Sequence, residues 1–269
     1  MQYKTLTSAV LAASVAMGPV AQADEYSTRD LNEQLVMATL WMQASAEFRA
    51  LSYQAFNVAR MQLDKALANH KGDKKLAIAV DVDETIVDNT AYEAYLIGND
   101  FGYSSKTWTP WMAAAEATAM PGAVEFLNYA ADKGVEVFYV TNRKVVGKEG
   151  TMKNLKALGF PHVDDKHLMM RTKSSSKAAR RQAILAEYDI ALMMGDNLND
   201  FSDDFYKKSM DERYAATDKH KAKWGTEWIV LPNPTYGAWE GAVYNGNWKA
   251  SPAEKDQMRK QHLHRWQPK

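Results

Sequence analysis

Three carboxylates stand directly behind a short apolar run in the first third of the chain. The run is Leu76–Val80, and Asp81, Asp83 and Glu84 follow it almost without a break. Like charges about 4 Å apart repel by roughly 4 kcal/mol at the effective dielectric found near a protein surface. A bound divalent cation, raised carboxylate pKa values, or both would offset this repulsion. The cluster therefore predicts a site that performs chemistry.

Four more polar side chains follow apolar runs or begin helix-compatible stretches further along the chain. They are Thr141, Lys177, Asp196 and Asp200. In open parallel α/β sheets, ligands bind in the crevice at the carboxyl ends of the strands. We therefore expect these side chains to meet Asp81 in one crevice, although they lie far apart in the sequence.

Each of these residues also has an ordinary structural explanation when it is taken alone. Asp81 and Asp83 could cap a helix that follows the strand. Thr141 could belong to a turn, and Lys177 could be a solvated helix residue. The order of the segments along the chain favours a functional site over these separate explanations.

The spacing of the apolar runs predicts the elements that must position this site. Runs at residues 76–80, 135–140, 190–194 and 228–231 are separated by long stretches compatible with helix. Such short runs are typical of strands that are buried on both faces. The expected fold is therefore α/β, a Rossmann-like doubly wound parallel sheet. Residues 24–70 contain neither Pro nor Gly and predict one long helical stretch.

The first 23 residues differ in composition from the rest of the chain. Lys4 is their only charged residue, an apolar stretch fills residues 6–20, and the closing Ala-Gln-Ala fits a cleavage site of small residues. This pattern predicts a signal peptide that is cut after Ala23, and a periplasmic or secreted mature protein. A membrane anchor is the weaker alternative because the apolar stretch is short and contains a Gly-Pro pair.

Charge and cysteine content argue against several classes of function. The 33 Lys and Arg residues balance the 33 Asp and Glu residues, so a general attraction to nucleic acid polymers or membrane surfaces is not expected. Without cysteine, the chain is expected to have no disulfide, no thiolate metal site and no lipid anchor on an N-terminal Cys. The six histidines form no metal-binding pair at helical spacing and are expected at the surface.

Four segments resemble the motifs of the haloacid dehalogenase superfamily of phosphatases and occur in the same order. They are Asp81-Val82-Asp83-Glu84-Thr85, Thr141 in YVTNR, Lys177 in SSSKAARR, and Gly195-Asp196 with the acidic stretch that follows. The segments DVDETIVDN, YVTNRK, GDNLNDF, LPNPTYGAWEG and WMQASAEFRALSYQAFN look like the class C nonspecific acid phosphatases, which are exported bacterial enzymes. The best-known of these enzymes are outer-membrane lipoproteins, whereas this chain has no cysteine to carry a lipid.

The resemblance and the chemistry of the side chains imply a role for each residue. Asp81 would be the nucleophile that forms an aspartyl-phosphate. Asp83 would protonate the leaving alcohol and then activate a water molecule. Thr141 would donate a hydrogen bond to the phosphoryl oxygens and Lys177 would supply positive charge. Asn142 is expected to bind substrate.

Mg²⁺ is the expected cofactor because the acidic residues offer the hard oxygen ligands that this ion prefers. Asp81, the backbone carbonyl of Asp83 and Asp196 would bind it directly. Asp200 belongs to the same metal site but in an outer shell, where it would orient water or Lys177.

Members of the resembled superfamily carry a cap over the site, built by an insertion after the first motif. Here the cap is predicted at about residues 88–120, within a core that spans residues 73–250. An N-terminal helical region, residues 24–72, is expected to pack with the cap. Residues 251–269 are expected to form a basic tail or surface helix.

Aromatic residues in the insertion and after the last apolar run predict how the substrate is held. In the resembled family, aromatic side chains at the positions of Trp108 and Tyr236 sandwich a nucleoside base or another ring. Stacking tolerates many substrates because every base has a π-face. Trp111 and Trp239 fit a cap core or an interface equally well.

The function predicted from the sequence is an acid phosphatase for small phosphomonoesters, including 5′-nucleotides and aryl or sugar phosphates, with an acidic optimum. The resemblance also implies a homodimer. One alternative is a non-catalytic surface or periplasmic protein that binds nucleotide, haem or a partner. Asp81 and Asp83 argue against it because binding alone needs neither a nucleophile nor an acid. The other alternative, a phosphotransferase, shares every residue with the hydrolase.

Overall fold

The fold is built on a parallel β-sheet. The computed structural model describes residues 26–268, so the predicted signal peptide lies outside the described residues. The strands in chain order are β1 (Leu76–Val80), β2 (Val87–Asp88), β3 (Thr118–Ala119), β4 (Glu136–Lys144), β5 (Leu168–Arg171), β6 (Asp189–Gly195) and β7 (Trp228–Val230). Within the described range, five of them form a parallel sheet in the order β5-β4-β1-β6-β7. The predicted α/β fold is therefore confirmed.

Helices cover both faces of this sheet. In chain order they are α1 (Thr28–Glu33), α2 (Val36–Ala44), α3 (Ala46–Asn69), α4 (Thr90–Leu96), α5 (Ser105–Ala114), α6 (Ala123–Asp132), α7 (Lys148–Ala157), α8 (Ala178–Glu187), α9 (Met210–Lys219), α10 (Ala238–Val243) and α11 (Pro252–Gln261). Helices α3 and α6 pack on one face, and α8 packs on the other. Alternate residues of β1 pack on opposite faces of the sheet. Ile78 and Val80 belong to the core under α3 and α6, whereas Ala77 and Ala79 belong to a cluster with Ile184 of α8.

The sheet differs from the sequence prediction at its edge. The four predicted apolar runs correspond to β1, β4, β6 and β7, but β5 was not predicted. This strand has only four residues, and alternate side chains are only half-buried. An edge strand of that length carries too weak a pattern to stand out in the sequence.

The N-terminal helical region is divided where the sequence predicted one continuous helix. Helices α2 and α3 are separated at Ser45, whose backbone is extended and whose hydroxyl accepts a hydrogen bond from the Phe48 backbone N–H. Serine is a strong N-cap residue, so it ends one helix and begins the next. The break lets α3 lie along the sheet while α2 packs against α4.

An insertion after β1 forms the cap. The antiparallel pair β2 and β3 brackets α4 and α5, and the cap core contains Tyr92, Leu96, Trp108 and Met112. Helix α5 packs closely on α7, where a Cβ at Gly150 would lie 2.1 Å from the Met112 carbonyl oxygen. Glycine at this position therefore allows the cap to rest directly on the core.

The C-terminal segment forms helix α11, which packs against α1. Arg259 of α11 donates to Gln34, between α1 and α2, and lies 2.6 Å from Glu240 of α10. These contacts hold α11 against the N-terminal helices and against α10. No helix in residues 26–268 is both long and apolar enough to span a membrane.

The prediction that all histidines lie at the surface is wrong for His167. Its side chain is buried, and its ring nitrogens lie 2.8 Å from Asp164 and 2.9 Å from Glu136. The cluster lies at the amino end of β4, so it is away from the carboxyl ends that carry the predicted site. A buried histidine between two acidic partners cannot be recognised from sequence spacing because the partners come from different elements.

Candidate active site

Asp81 is the first residue after β1, and the sheet fixes its position. Its backbone N–H donates to the Met194 carbonyl on β6 (2.9 Å), which extends the strand pairing by one residue. Its Oδ1 lies 2.7 Å from Nζ of Lys177. Both side chains are buried, so this ion pair is shielded from solvent and from salt.

Lys177 joins Asp81 to the turn that follows β6. Its Nζ lies 2.6 Å from Oδ1 of Asp200, and Oδ2 of Asp200 accepts a hydrogen bond from the Asn197 backbone N–H at 3.1 Å. A Cβ at position 195 would lie 2.4 Å from Oδ2 of Asp200, so Gly195 is needed for this close approach. Asp200 therefore contacts Lys177, which is one of the two groups, water or Lys177, that the sequence interpretation expected it to orient.

Asp196 completes a group of three carboxylates. Its Oδ2 accepts from Nδ2 of Asn233 (2.8 Å), and its Oδ1 accepts from Oγ1 of Thr85 (3.2 Å). Oxygen atoms of Asp81, Asp196 and Asp200 all lie within 4.8 Å of one another. These residues come from two strands that are far apart in sequence, and the neighbouring positions of β1 and β6 bring them together.

The electrostatics of this trio fit a divalent cation. Burial raises the pKa of Asp81 to about 7, and the charge of Asp200 adds to this effect while Lys177 opposes it. Burial also raises the pKa of Asp196 well above its ordinary value. One ammonium group cannot neutralise three carboxylates, and carboxylate oxygens are the ligands that Mg²⁺ and similar hard ions prefer. The trio is therefore a candidate site for a divalent metal.

Asp83 contacts a different cation, Arg143. The Asp83 Oδ1 lies 2.8 Å from both Nε and Nη2 of Arg143 and accepts from Nδ2 of Asn89 at 3.0 Å. In the part of the chain that the structure describes, the Asp83 carboxylate is not among the convergent metal-ligand atoms. The Asp83 carboxylate therefore pairs with Arg143, and the metal contact expected from the sequence for Asp83 is that of its backbone carbonyl.

Arg143 was missed by the sequence reasoning, although it stands two residues after Thr141. It is buried, and beyond Asp83 it donates to Thr151 and to Oδ1 of Asn89, each at 3.1 Å. The same Asn89 oxygen accepts from Nε1 of Trp111 (2.9 Å). Arg143 and Asn89 therefore connect the acidic first motif to the cap, and Trp111 belongs to this connection.

Thr141 and Asn142 lie further along β4 than the sequence predicted, because this strand continues to Lys144. Thr141 is fully buried, and its hydroxyl oxygen accepts from the Arg143 backbone N–H at 3.0 Å. Oδ1 of Asn142 accepts from Arg180 at 2.8 Å. Arg180, which had no predicted role, also donates to the Thr141 carbonyl and so holds this part of the site.

Most of the predicted site residues line one cavity of about 820 Å³. Its walls include Asp81, Asp83, Asn142, Asp196, Asp200, Trp108 and Tyr236. Thr141 and Lys177 lie behind the surface of this cavity and contact the residues that form it. Trp108 is buried in the cap core, where its ring packs edge-on against Tyr92 at a centroid distance of 4.8 Å.

Glu84 holds Tyr236 at the cavity wall. The Glu84 carboxylate accepts from the Tyr236 hydroxyl and from the Asn89 backbone N–H. Burial, followed by the charge of Asp83, raises the pKa of Glu84 well above its ordinary value. Glu84 has a φ of 52°, a left-handed conformation that is unfavourable for a residue with a Cβ and recurs at functional sites. The sequence reasoning counted Glu84 in the acidic cluster but assigned it no role.

These observations define the class of protein. The parallel sheet carries Asp81 after its central strand, with Lys177 beside it and acidic residues after the neighbouring strand, and a helical cap follows the first strand. These are the features of a phosphatase of the haloacid dehalogenase type. The chain belongs to the HAD superfamily, subfamily IIIB (acid phosphatase), whose family model matches residues 1–239. This confirms the family that the sequence motifs indicated.

Solved structures agree with this assignment. The chain is 41% identical to the class C acid phosphatase from Bacillus anthracis, with a TM-score of 0.85 over 88% of this chain and 99% of that chain. The structure of the Bacillus anthracis class C acid phosphatase with tungstate bound matches with the same values. The chain is thus an acid phosphatase, an enzyme that hydrolyses phosphomonoesters.

Proposed function

We propose that this chain is an exported, Mg²⁺-dependent acid phosphatase that hydrolyses a broad range of phosphomonoesters, 5′-nucleotides among them, through an aspartyl-phosphate. The observation that carries this proposal is the convergence of the Asp81, Asp196 and Asp200 carboxylates, two of which, Asp81 and Asp200, pair with Lys177. Tungstate is a tetrahedral oxyanion like phosphate, and its presence in the Bacillus anthracis relative supports an oxyanion site in this fold.

The reaction needs two steps. In the first, a carboxylate oxygen of Asp81 attacks phosphorus, the bond to the leaving oxygen breaks, and that oxygen takes a proton from Asp83. In the second, Asp83 accepts a proton from water, and the water oxygen attacks the aspartyl-phosphate. Inorganic phosphate leaves and the Asp81 carboxylate is restored.

Other side chains stabilise the charge on the phosphoryl group. Lys177 supplies a buried positive charge, and the Thr141 hydroxyl supplies a hydrogen-bond donor. Asp200 and Arg180 position these two groups through the contacts described above.

A divalent cation would be held by Asp81 and Asp196, with the backbone carbonyl of Asp83 as a further ligand. When bound, it neutralises the excess carboxylate charge and the developing charge on the phosphoryl oxygens. The hard oxygen ligands favour Mg²⁺ over softer metals.

A substrate panel tests this proposal. We expect the purified protein to release phosphate from p-nitrophenyl phosphate, AMP and glycerol phosphate in the acidic range, at a pH of about 5 to 7. Excess EDTA should abolish turnover and added Mg²⁺ should restore it. The two ring-bearing substrates should have the lower KM values because their rings can stack on Trp108 and Tyr236.

Several outcomes of the panel would contradict the proposal. Undiminished turnover in EDTA would remove the metal from the mechanism. Tight binding of AMP without phosphate release would favour a binding protein instead. With glycerol added to the AMP reaction, glycerol phosphate in place of free phosphate would indicate a phosphotransferase.

Export of the chain is the part of the proposal that depends on the first 23 residues. Their single charge, apolar stretch and closing Ala-Gln-Ala support cleavage after Ala23. Expression of the whole chain in a Gram-negative host should yield periplasmic protein that begins at Asp24, as measured by intact mass. Protein that keeps residues 1–23 in the cytoplasm would contradict this proposal.

A further inference from the structure

Glu93 is a buried carboxyl group in the cavity wall with no assigned purpose. It lies on cap helix α4, is 6% exposed, and lines the same cavity as Asp81. Among residues 26–268 its side chain has neither a hydrogen-bond donor nor a cation as a partner. Tyr92 of the same helix packs in the apolar cap core, whereas Glu93 and Leu96 line the cavity.

The charged residues near Glu93 do not compensate it. The charge of Glu240 of α10 repels it, and Glu84 is a further acidic neighbour. Glu240 is already satisfied by Arg259 at 2.6 Å and by the Tyr244 hydroxyl at 2.7 Å. Burial raises the pKa of Glu93 to about 7, and the charge of Glu240 adds to this effect.

An unpartnered buried carboxyl group destabilises a fold, because it loses its hydration and gains nothing in return. A leucine of similar size would suit the apolar neighbours of Glu93 in α4 better. Glu93 lowers the stability of the fold and faces a substrate cavity. Such a polar group indicates a hydrogen bond that forms only when a ligand is bound.

The position of Glu93 indicates which part of a ligand it would meet. Phosphate binds at Asp81 and Lys177 in the proposed function, and Glu93 lines the same cavity from the cap together with Trp108 and Tyr236. The alcohol of the phosphomonoester fills the rest of this cavity, whose wall includes Glu93. A carboxyl group there accepts hydrogen bonds from hydroxyl or amino groups.

We propose that Glu93 is a specificity-determining residue that selects phosphomonoesters whose alcohol carries hydrogen-bond donors, such as the hydroxyls of a ribose or the amino group of a base. This inference rests on the proposed function, since it requires phosphate at Asp81. It assigns Glu93 to substrate choice and not to the chemical steps.

The test compares Glu93→Leu and Glu93→Gln with the unchanged protein on four substrates. AMP carries both kinds of donor, IMP lacks the amino group, 2′,3′-dideoxyadenosine monophosphate lacks the hydroxyls, and p-nitrophenyl phosphate has neither. A buried donor of the substrate that is left without its acceptor corresponds to a factor of about ten. In Glu93→Leu, kcat/KM for AMP should fall by about that factor, while p-nitrophenyl phosphate should stay within about twofold. Glu93→Gln keeps an acceptor, so its kcat/KM for AMP should lie between those of Glu93→Leu and the unchanged protein.

The other two nucleotides identify the donor. If the preference for AMP over IMP disappears in Glu93→Leu, the carboxyl group reads the base; if the preference over the dideoxy nucleotide disappears, it reads the ribose. The melting temperature of Glu93→Leu should be unchanged or higher, which a purely structural role for Glu93 would not allow.

Two results would overturn the proposal. One is an equal loss on all four substrates together with a lower melting temperature, since Glu93 would then support the fold. The other is no change in any substrate ratio. Failure of the proposed function is a separate result, because the unchanged protein would then not turn over p-nitrophenyl phosphate.

Discussion

Replacing Asp81 with asparagine should abolish measurable turnover of p-nitrophenyl phosphate, with a loss of about 10⁴-fold or more in kcat, as for other nucleophiles in covalent catalysis. Asparagine keeps the shape of the side chain but lacks the anionic oxygen that attacks phosphorus. The residue stands at the end of the central strand, where the bond from its N–H to Met194 fixes the backbone. No neighbouring carboxylate can take its place without moving that strand.

The asparagine variant should still fold, so the loss can be assigned to chemistry. Burial and the charge of Asp200 both disfavour ionised Asp81, and a neutral amide removes that repulsion while losing the ion pair to Lys177. Circular dichroism and thermal melting check this point. Asp132→Asn, at an exposed position on α6, is the matched control and should keep full activity. Full activity in Asp81→Asn would remove the proposed mechanism.

The sequence was most informative about residues that directly follow a buried strand, because the apolar pattern of the strand also determines where the next residue lies. The run Leu76–Val80 is typical of a strand buried on both faces, so the residue after it was expected at the carboxyl edge of the sheet. The same argument placed Asp196 beside it, because β6 is an apolar run that pairs with β1. Parallel pairing of neighbouring strands therefore converts positions far apart in sequence into one site.

The contacts that depend on three-dimensional packing were not accessible in this way. Arg143 reaches Asp83, Asn89 and Thr151 from the far end of β4, and no local pattern indicates that its guanidinium turns inward. Glu93 is similar: helical spacing places it next to the cap core, but only the assembled cap shows that it faces a cavity. Long polar side chains are ordinarily solvated, so burial of either residue contradicts the default expectation.

The short edge strand β5 and the break at Ser45 were missed for a different reason. At β5 the apolar pattern is weak, and at Ser45 it continues from one helix into the next. Residues 36–44 and 46–69 carry helix-forming side chains on both sides of Ser45, and only the extended backbone of the serine separates them. Ser45 can cap a helix, but it could also lie within one, and the packing of α2 against α4 favours the break.

Replacing Lys177 with methionine should lower kcat by about a thousandfold, in line with the loss of preorganised charge at a transition state. It should also destabilise the protein in the presence of EDTA. Lys177 is 2% exposed and lies within 2.7 Å of carboxylate oxygens on both Asp81 and Asp200. Removing one partner of a buried ion pair costs about 3 to 5 kcal/mol because the remaining charge is left uncompensated. Urea denaturation with and without Mg²⁺ measures the effect.

The pH dependence of this destabilisation provides a sharper test. The folded-state pKa of Asp81 is raised to about 7, so the folded state binds a proton there more tightly than the unfolded state does. Stability in EDTA should therefore fall as the pH rises from about 4 towards about 7, because the unfolded carboxyl group ionises first. Lys177 opposes this fall in the unchanged protein. Lys177→Met should consequently lose more stability at about pH 8 than at about pH 5, where protonated Asp81 needs no partner.

Mg²⁺ should restore part of the stability of Lys177→Met but little of its activity. A divalent cation that binds only the folded trio stabilises it by mass action and supplies the charge that the lysine no longer gives. It would be held by the carboxylates, however, and would supply no N–H donors in place of the lysine ammonium group. Lys208→Met is the control, because Lys208 pairs with Glu212 at the surface and should matter to neither quantity. If Lys177→Met were as stable as the unchanged protein in EDTA at both pH values, the carboxylates around Asp81 would not depend on the lysine for compensation. The electrostatic basis of the metal site would then be wrong.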